Sequence, residues 1–214
     1  MRKWLVLSAL VVVLCGTGAY VFLRGFEWKG SPWANGTAIE SMDGVAVYDN
    51  GPIFTVSHGR HYAGDGTYFG QKWQCVEFIK RYLYQARGHV MPDGMGHAIS
   101  FFDEETPHGA LNLGRGMLQF RQGETEPPRK GDLIVFAGAS GYGHVAIVAA
   151  TGDDFVEIVQ QNASPARQRL VLSRSKNIGG FLVEHALPTL GWLRAPTLLA
   201  DELGPQAQAG AAQG

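Results

Sequence analysis

The sequence predicts an α+β fold in which one helix bearing a cysteine packs on an antiparallel sheet bearing a histidine. Three observations predict it. After Cys75, the apolar residues Val76, Ile79, Tyr82, Leu83 and Ala86 recur at three-and-four spacing, with Lys80, Arg81, Gln85 and Arg87 elsewhere. That is one amphipathic helix between Gly70 and the C-cap candidate Gly88. From Pro127 onward, short β-branched runs are separated by glycine-rich turns, the pattern of antiparallel strands. Finally, 214 residues that are 45% hydrophobic and 17% charged suffice for one domain with a real core.

Taken in order, Met1 to Gly25 is a separate object. Arg2 and Lys3 precede the uncharged run Trp4 to Leu23, which Arg24 closes. This is a membrane-targeting segment, and the basic pair at its front favours a cytoplasmic N-terminus and an exported domain. An uncleaved anchor, a cleaved signal with small residues at Thr17 and Ala19, and a lipid-modified Cys15 behind the bulky Leu14 are all readings of it. Each places the domain outside the cytoplasm. The domain itself is expected over 26–195. The tail, 196–214, ends in GPQAQAGAAQG and has too little apolar bulk to fold.

Trp28 to Gly66 reads as a loop-rich lead-in with short strands at Val45 to Tyr48 and Ile53 to Val56. His58 and His61 lie there without a third ligand at a recognised spacing, so no metal is assigned. After the helix, His89 to Glu126 is long and interrupted by Pro92 and Pro107, with short pieces at Ala98 to Asp103 and Met117 to Phe120. Excursions of this kind often contact substrate. The strands follow: Leu133 to Phe136, His144 to Ala150 after a glycine-rich loop, and Phe155 to Gln161 after a turn at Thr151 to Asp153. Leu170 to Leu172, Gly180 to Val183 and Gly191 to Leu193 are shorter candidates. With 18 basic against 19 acidic residues and no cationic cluster, nucleic acid is not an expected partner.

The chemistry-bearing residues fall at the joints of this plan. Cys75 stands in the first helical turn, where unpaired N–H groups and the helix dipole favour a thiolate. Fast alkylation at pH 6 is the corresponding expectation. The only other cysteine is Cys15, so Cys75 is the domain's lone thiol: a nucleophile, or a small residue sealing the helix on the core. His144 opens a strand. A three-residue turn at 151–153 pairs Ala150 with Asp154 and brings His144 opposite Gln160, whose carbonyl can take a ring N–H. A two-residue turn brings Gln161 there instead, and Asn162 is a further polar candidate. His144 also reads as an ordinary sheet-edge histidine.

Cysteine on a helix start, histidine on a following sheet and an amide beside it resemble a papain-like cysteine hydrolase. More narrowly, KWQCVEF at Lys72 to Phe78, PRKGDLIVF at Pro128 to Phe136, GHVAIV at Gly143 to Val148, VQQN at Val159 to Asn162 and GWLR at Gly191 to Arg194 resemble the CHAP family. Its members are cysteine- and histidine-dependent amidohydrolases and peptidases, and the likeness extends to the amidase half of glutathionylspermidine synthetase/amidase. The resemblance implies Cys75 as nucleophile, His144 as base and Gln160 in the third role, where those amidases carry a glutamate. It implies the Cys75 N–H as an oxyanion donor, Trp73, Gln74 and Asn162 as substrate contacts, and no cofactor. The function implied is hydrolysis of an amide bond by an exported cysteine enzyme, with peptides of peptidoglycan as substrate. A glutathionylspermidine-type amidase and a catalytically weak binding module of the same fold are the competing expectations.

Overall fold

The computed structural model describes residues 35–138, 140–175 and 179–196. These belong to a unit assigned to Trp33–Gly214, distinct from one of Met1–Pro32. The membrane-targeting segment and the tail therefore lie outside the described residues, as do the expectations attached to them. No helix among the described residues is long and apolar enough to cross a membrane.

Two hairpins lead in: β1 (Ala38–Met42) with β2 (Val45–Tyr48), and β3 (Arg60–Tyr62) with β4 (Tyr68–Gln71). Helix α1 (Cys75–Arg87) follows directly. Gly88 ends it at φ 61° with its N–H on the Leu83 carbonyl, the left-handed cap that glycine adopts without a Cβ clash. Phe78, Ile79, Tyr82 and Leu83 are fully buried along one face, each contributing roughly 1.5–3 kcal/mol by burial. Gly70, at φ 140°, lets β4 run against the helix start, because a Cβ there would stand 3.2 Å from the Glu77 backbone.

The remaining strands form one antiparallel sheet. They are β5 (Leu111–Asn112), β6 (Met117–Arg121), β7 (Leu133–Phe136), β8 (His144–Thr151), β9 (Phe155–Val159), β10 (Arg167–Arg174), β11 (Phe181–Glu184) and β12 (Thr189–Arg194). Their order is β11-β10-β9-β8-β7-β12-β6-β5. The edge strand β11 bonds back to residues 122–124, just beyond β6, through Gly123 N–H to the Phe181 carbonyl and Gln122 with Val183. The sheet thus curls toward closure. Val145, Ile147, Leu133, Val135, Val159 and Leu193 face the core under α1. Ile134, Phe136, Ala146, Val148, Ile158 and Trp192 face a second core built of strand residues. Both faces are dry, which is why β7 reads as an unbroken apolar run rather than alternating.

The α+β expectation holds, with corrections. Ile53 to Val56 is a turn rather than a strand, since side-chain amides hold its carbonyls in place of a neighbouring strand. The piece at Ala98–Phe101 is one 3₁₀ turn. The lead-in, Trp28 to Gly66, holds three strands among its described residues, and β10 is much longer than Leu170 to Leu172.

Candidate active site

The start of α1 enters the sheet where β9 parts from β8. Val148 donates to the Asp132 carbonyl on the β7 side of β8, so by antiparallel alternation Val145 and Ile147 turn their N–H groups toward β9. Ile147 has its partner, Val159, but the ladder ends there. Gln160 still donates its N–H to the Ala166 carbonyl, toward β10, but Gln161, next in line to face Val145, is outside the ladder. The Val145 N–H lies beyond the end of the ladder, and it is one of the backbone N–H groups that pull the Cys75 thiol pKa down. The lone thiol of the domain sits at the mouth of β8, beside the residue that follows His144.

His144 leans on Phe136, its register partner on β7, with ring centroids 6.1 Å apart. Its Nε2 is 2.9 Å from Gln160 Oε1. The neighbours of Gln160 fix the direction of that bond. Its Nε2 donates to the Pro165 carbonyl at 2.9 Å, which can only accept, so the amide oxygen faces the histidine and His144 Nε2 is the donor. In the neutral ring Nδ1 then carries the lone pair. Of Gln160, Gln161 and Asn162, Gln160 is the one that meets His144.

The register differs from the one read from sequence. Thr151 pairs with Val156 across a four-residue connection, and a bulge at Ala149 takes one residue back, so Ile147 lies opposite Val159. The slip totals two residues and preserves the face. Gln160 therefore reaches His144 diagonally rather than from directly across.

Burial pushes the Cys75 thiol up to about 11, against the pull of the N–H groups of Val145, Val76 and Cys75 itself. This overturns the expectation of a depressed thiol. A helix N-terminus is worth up to roughly 2 kcal/mol at a partly buried site, about one and a half units of pKa, and desolvation outweighs it. Burial also lowers His144 below the ordinary histidine value, with the Gln160 bond opposing. The two shifts favour thiol over thiolate at Cys75 and the neutral ring over imidazolium at His144.

The other residues singled out form a frame around the pair. Trp73 is half-buried and packs on the Tyr48 ring at 4.3 Å. Gln74 and Asn162 are committed to each other, at 2.5 Å, and to the 50–57 loop: Gln74 donates to the Phe54 and Val56 carbonyls, and Asn162 to Phe54. Asn162 holds a φ of 59° to do so. Neither offers the free amide expected of a substrate contact; Gln74 shapes the wall of the cleft, as its sequence position beside Cys75 also suggests, and Asn162 joins it there. Asn50, buried, joins them through Asn162 Oδ1 and the Trp73 N–H.

Beneath lies a buried polar cluster. Glu77 accepts from Arg81 at 2.6 Å, from Gln161 at 2.6 Å and pairs with His61 at 2.7 Å. The Gln161 oxygen takes the Tyr48 N–H. Gln161 thus anchors the helix start to β2, and His61 and His58 are structural, the latter bonded to Asn35 and Asn50. The Glu77–Arg81 pair was legible as an i,i+4 spacing. Asn50, the Pro165 carbonyl and the freed Val145 N–H carried no sequence signal, since each acts through long-range register.

Known proteins are similar to this chain in sequence. Residues 66–162 match the family model described as CHAP domain, which implies amidase or peptidase chemistry. The chain is 33% identical over 135 residues to the bifunctional glutathionylspermidine synthetase/amidase of Escherichia coli (strain K12), covering 59% of this chain and 21% of that protein. It is 29% identical over 118 residues to trypanothione synthetase of Crithidia fasciculata, covering 52% and 18% respectively. The match thus spans about a fifth of each relative's length. The CHAP domain match runs from the turn before β4 to the amides that follow β9.

Proposed function

We propose that this domain hydrolyses an amide bond with Cys75 as nucleophile, His144 as base and Gln160 as the group that orients the base, in a papain-like arrangement. The single observation that carries the reading is the oriented Gln160 amide. Held by Pro165, it takes the Nε2 proton of His144 and leaves Nδ1 as the basic nitrogen for the thiol. When the substrate carbonyl arrives, Nδ1 takes the thiol proton as sulfur bonds to carbon. The oxyanion forms at the start of α1, where the Cys75 N–H is an unpaired helix donor. The imidazolium then protonates the leaving amine, and water, deprotonated by the same nitrogen, releases the acyl group.

As substrate we propose the peptide part of peptidoglycan, met outside the cytoplasm by a domain that Trp4 to Leu23 exports or tethers. The relatives favour a second reading, an amidase acting on glutathionylspermidine. Digestion of purified peptidoglycan and of glutathionylspermidine, with mass analysis of the products, separates the two. New amino and carboxyl termini in wall peptides support the first reading, and release of spermidine alone supports the second. Cleavage of neither sinks the hydrolase and leaves a binding module of the same fold.

A further inference from the structure

About 140° round α1 from Cys75, a cavity of about 190 Å³ opens between the helix, β4 and the 89–95 loop. None of the residues around Cys75 lines it. Its walls are apolar and aromatic, including Tyr68, Phe69, Leu83, Met91 and Met95. Val90 and Met95 stand at its mouth, 55% and 66% exposed. One amine enters this surface. Lys80, a residue only 7% exposed, gives one N–H to the Gly94 carbonyl at 2.8 Å and lies 4.8 Å from the centre of the Tyr68 ring. No carboxylate pairs with it among the described residues. An ammonium carries three donors, so a buried one with a single acceptor leaves charge and hydrogen-bonding capacity for a ligand.

We propose that this cavity binds a small carboxylate with an apolar tail, the carboxylate on Lys80 and the tail among Phe69, Leu83, Met91 and Met95. Volume fits the class, since a dry cavity of about 150 Å³ is enough for benzene. Charge fits it too, because an amine at an apolar wall selects an anion over a neutral tail of the same shape. The surrounding titratable groups do not supply that anion. Asp93 is exposed and acts on Lys80 only at a distance, Arg115 opposes the ammonium, His89 is tied to the Arg115 carbonyl and Tyr84 to Asp65. Burial, with Arg115, brings the amine down to about 8, so a bound carboxylate is released as pH rises past that value.

The inference is independent of the reading of Cys75. The test uses 3-phenylpropanoate and the uncharged 3-phenylpropanol, titrated into the protein and into Lys80→Met by calorimetry. The acid is expected to bind the wild type at pH 7, to weaken tenfold or more in Lys80→Met, and to weaken from pH 7 to pH 9.5. The alcohol is expected to respond to neither change. Absence of acid binding at millimolar concentration, or equal binding of acid and alcohol in both proteins, overturns the inference. Should Lys80→Met fail to fold, acid affinity in the wild type that is flat from pH 7 to 9.5 overturns it equally.

Discussion

Burial acts on Cys75 and His144 in the same chemical sense, raising the acid and lowering the base. Both shifts favour the uncharged forms, so in the proposed mechanism the proton moves from thiol to imidazole when a substrate carbonyl arrives. Iodoacetamide should react slowly with Cys75 at pH 6, with a rate climbing toward pH 11. A fast, pH-independent rate from pH 6 would show a resting thiolate. The neutral amide at 160 suits this design, since it accepts the Nε2 proton without adding a charge that stabilises imidazolium. Gln160→Ala should lower the turnover rate by roughly 10- to 100-fold, the usual cost of freeing an oriented histidine. Gln160→Glu should keep activity and raise the His144 pKa, moving the limb of the pH–rate profile that it governs to higher pH. Wild-type rate and profile in Gln160→Ala would show instead that Gln160 only fills the strand. This residue was legible in the sequence for a specific reason: the hairpin estimate erred by an even number of residues, and period-two alternation forgives that. The thiol pKa was not legible, because the helix start is a local feature and burial is not.

At the scale of elements, two close approaches position the pair. Gly143 precedes His144 at φ 70°, and a Cβ there would stand 2.7 Å from the Ile99 nitrogen and the Phe136 oxygen, both backbone. Neither neighbour can give way without moving the 3₁₀ turn or β7. Gly143→Ala should destabilise the domain by about 1–3 kcal/mol, a usual cost of a residue held in a sparsely populated backbone region. Urea denaturation measures this, and turnover should fall with it because His144 follows directly. The α1 span, its glycine cap and the cores of β6 to β9 were readable, since each rests on periodicity or a local turn. Ile53 to Val56 was misread because Gln74, Asn50 and Asn162 reach it from distant positions. Nothing in its own residues distinguishes a turn so held from a short strand.

The whole molecule is closed by a buried ion pair that joins distant motifs. Arg194 on β12 grips Asp132, ahead of β7, through two hydrogen bonds of 2.9 and 2.8 Å, and also reaches Glu126 and the Pro127 carbonyl. Asp132 is fully buried and Arg194 2% exposed. Arg194→Met takes the bidentate guanidinium from that buried carboxylate and leaves it the Arg129 N–H, which should cost about 3–5 kcal/mol. The urea midpoint should fall with an unchanged slope. GWLR and PRKGDL were recognisable as motifs, yet only the sheet order, which sets β12 beside β7, explains why one needs the other. In the proposed function the Cys75 thiol bonds to an acyl carbon. The most direct test is the intact mass of protein quenched in acid during turnover of whichever amide substrate it cleaves. The account predicts a thioester-linked acyl fragment on Cys75, absent from Cys75→Ala, which releases no product. Product release by Cys75→Ala at the wild-type rate would contradict it.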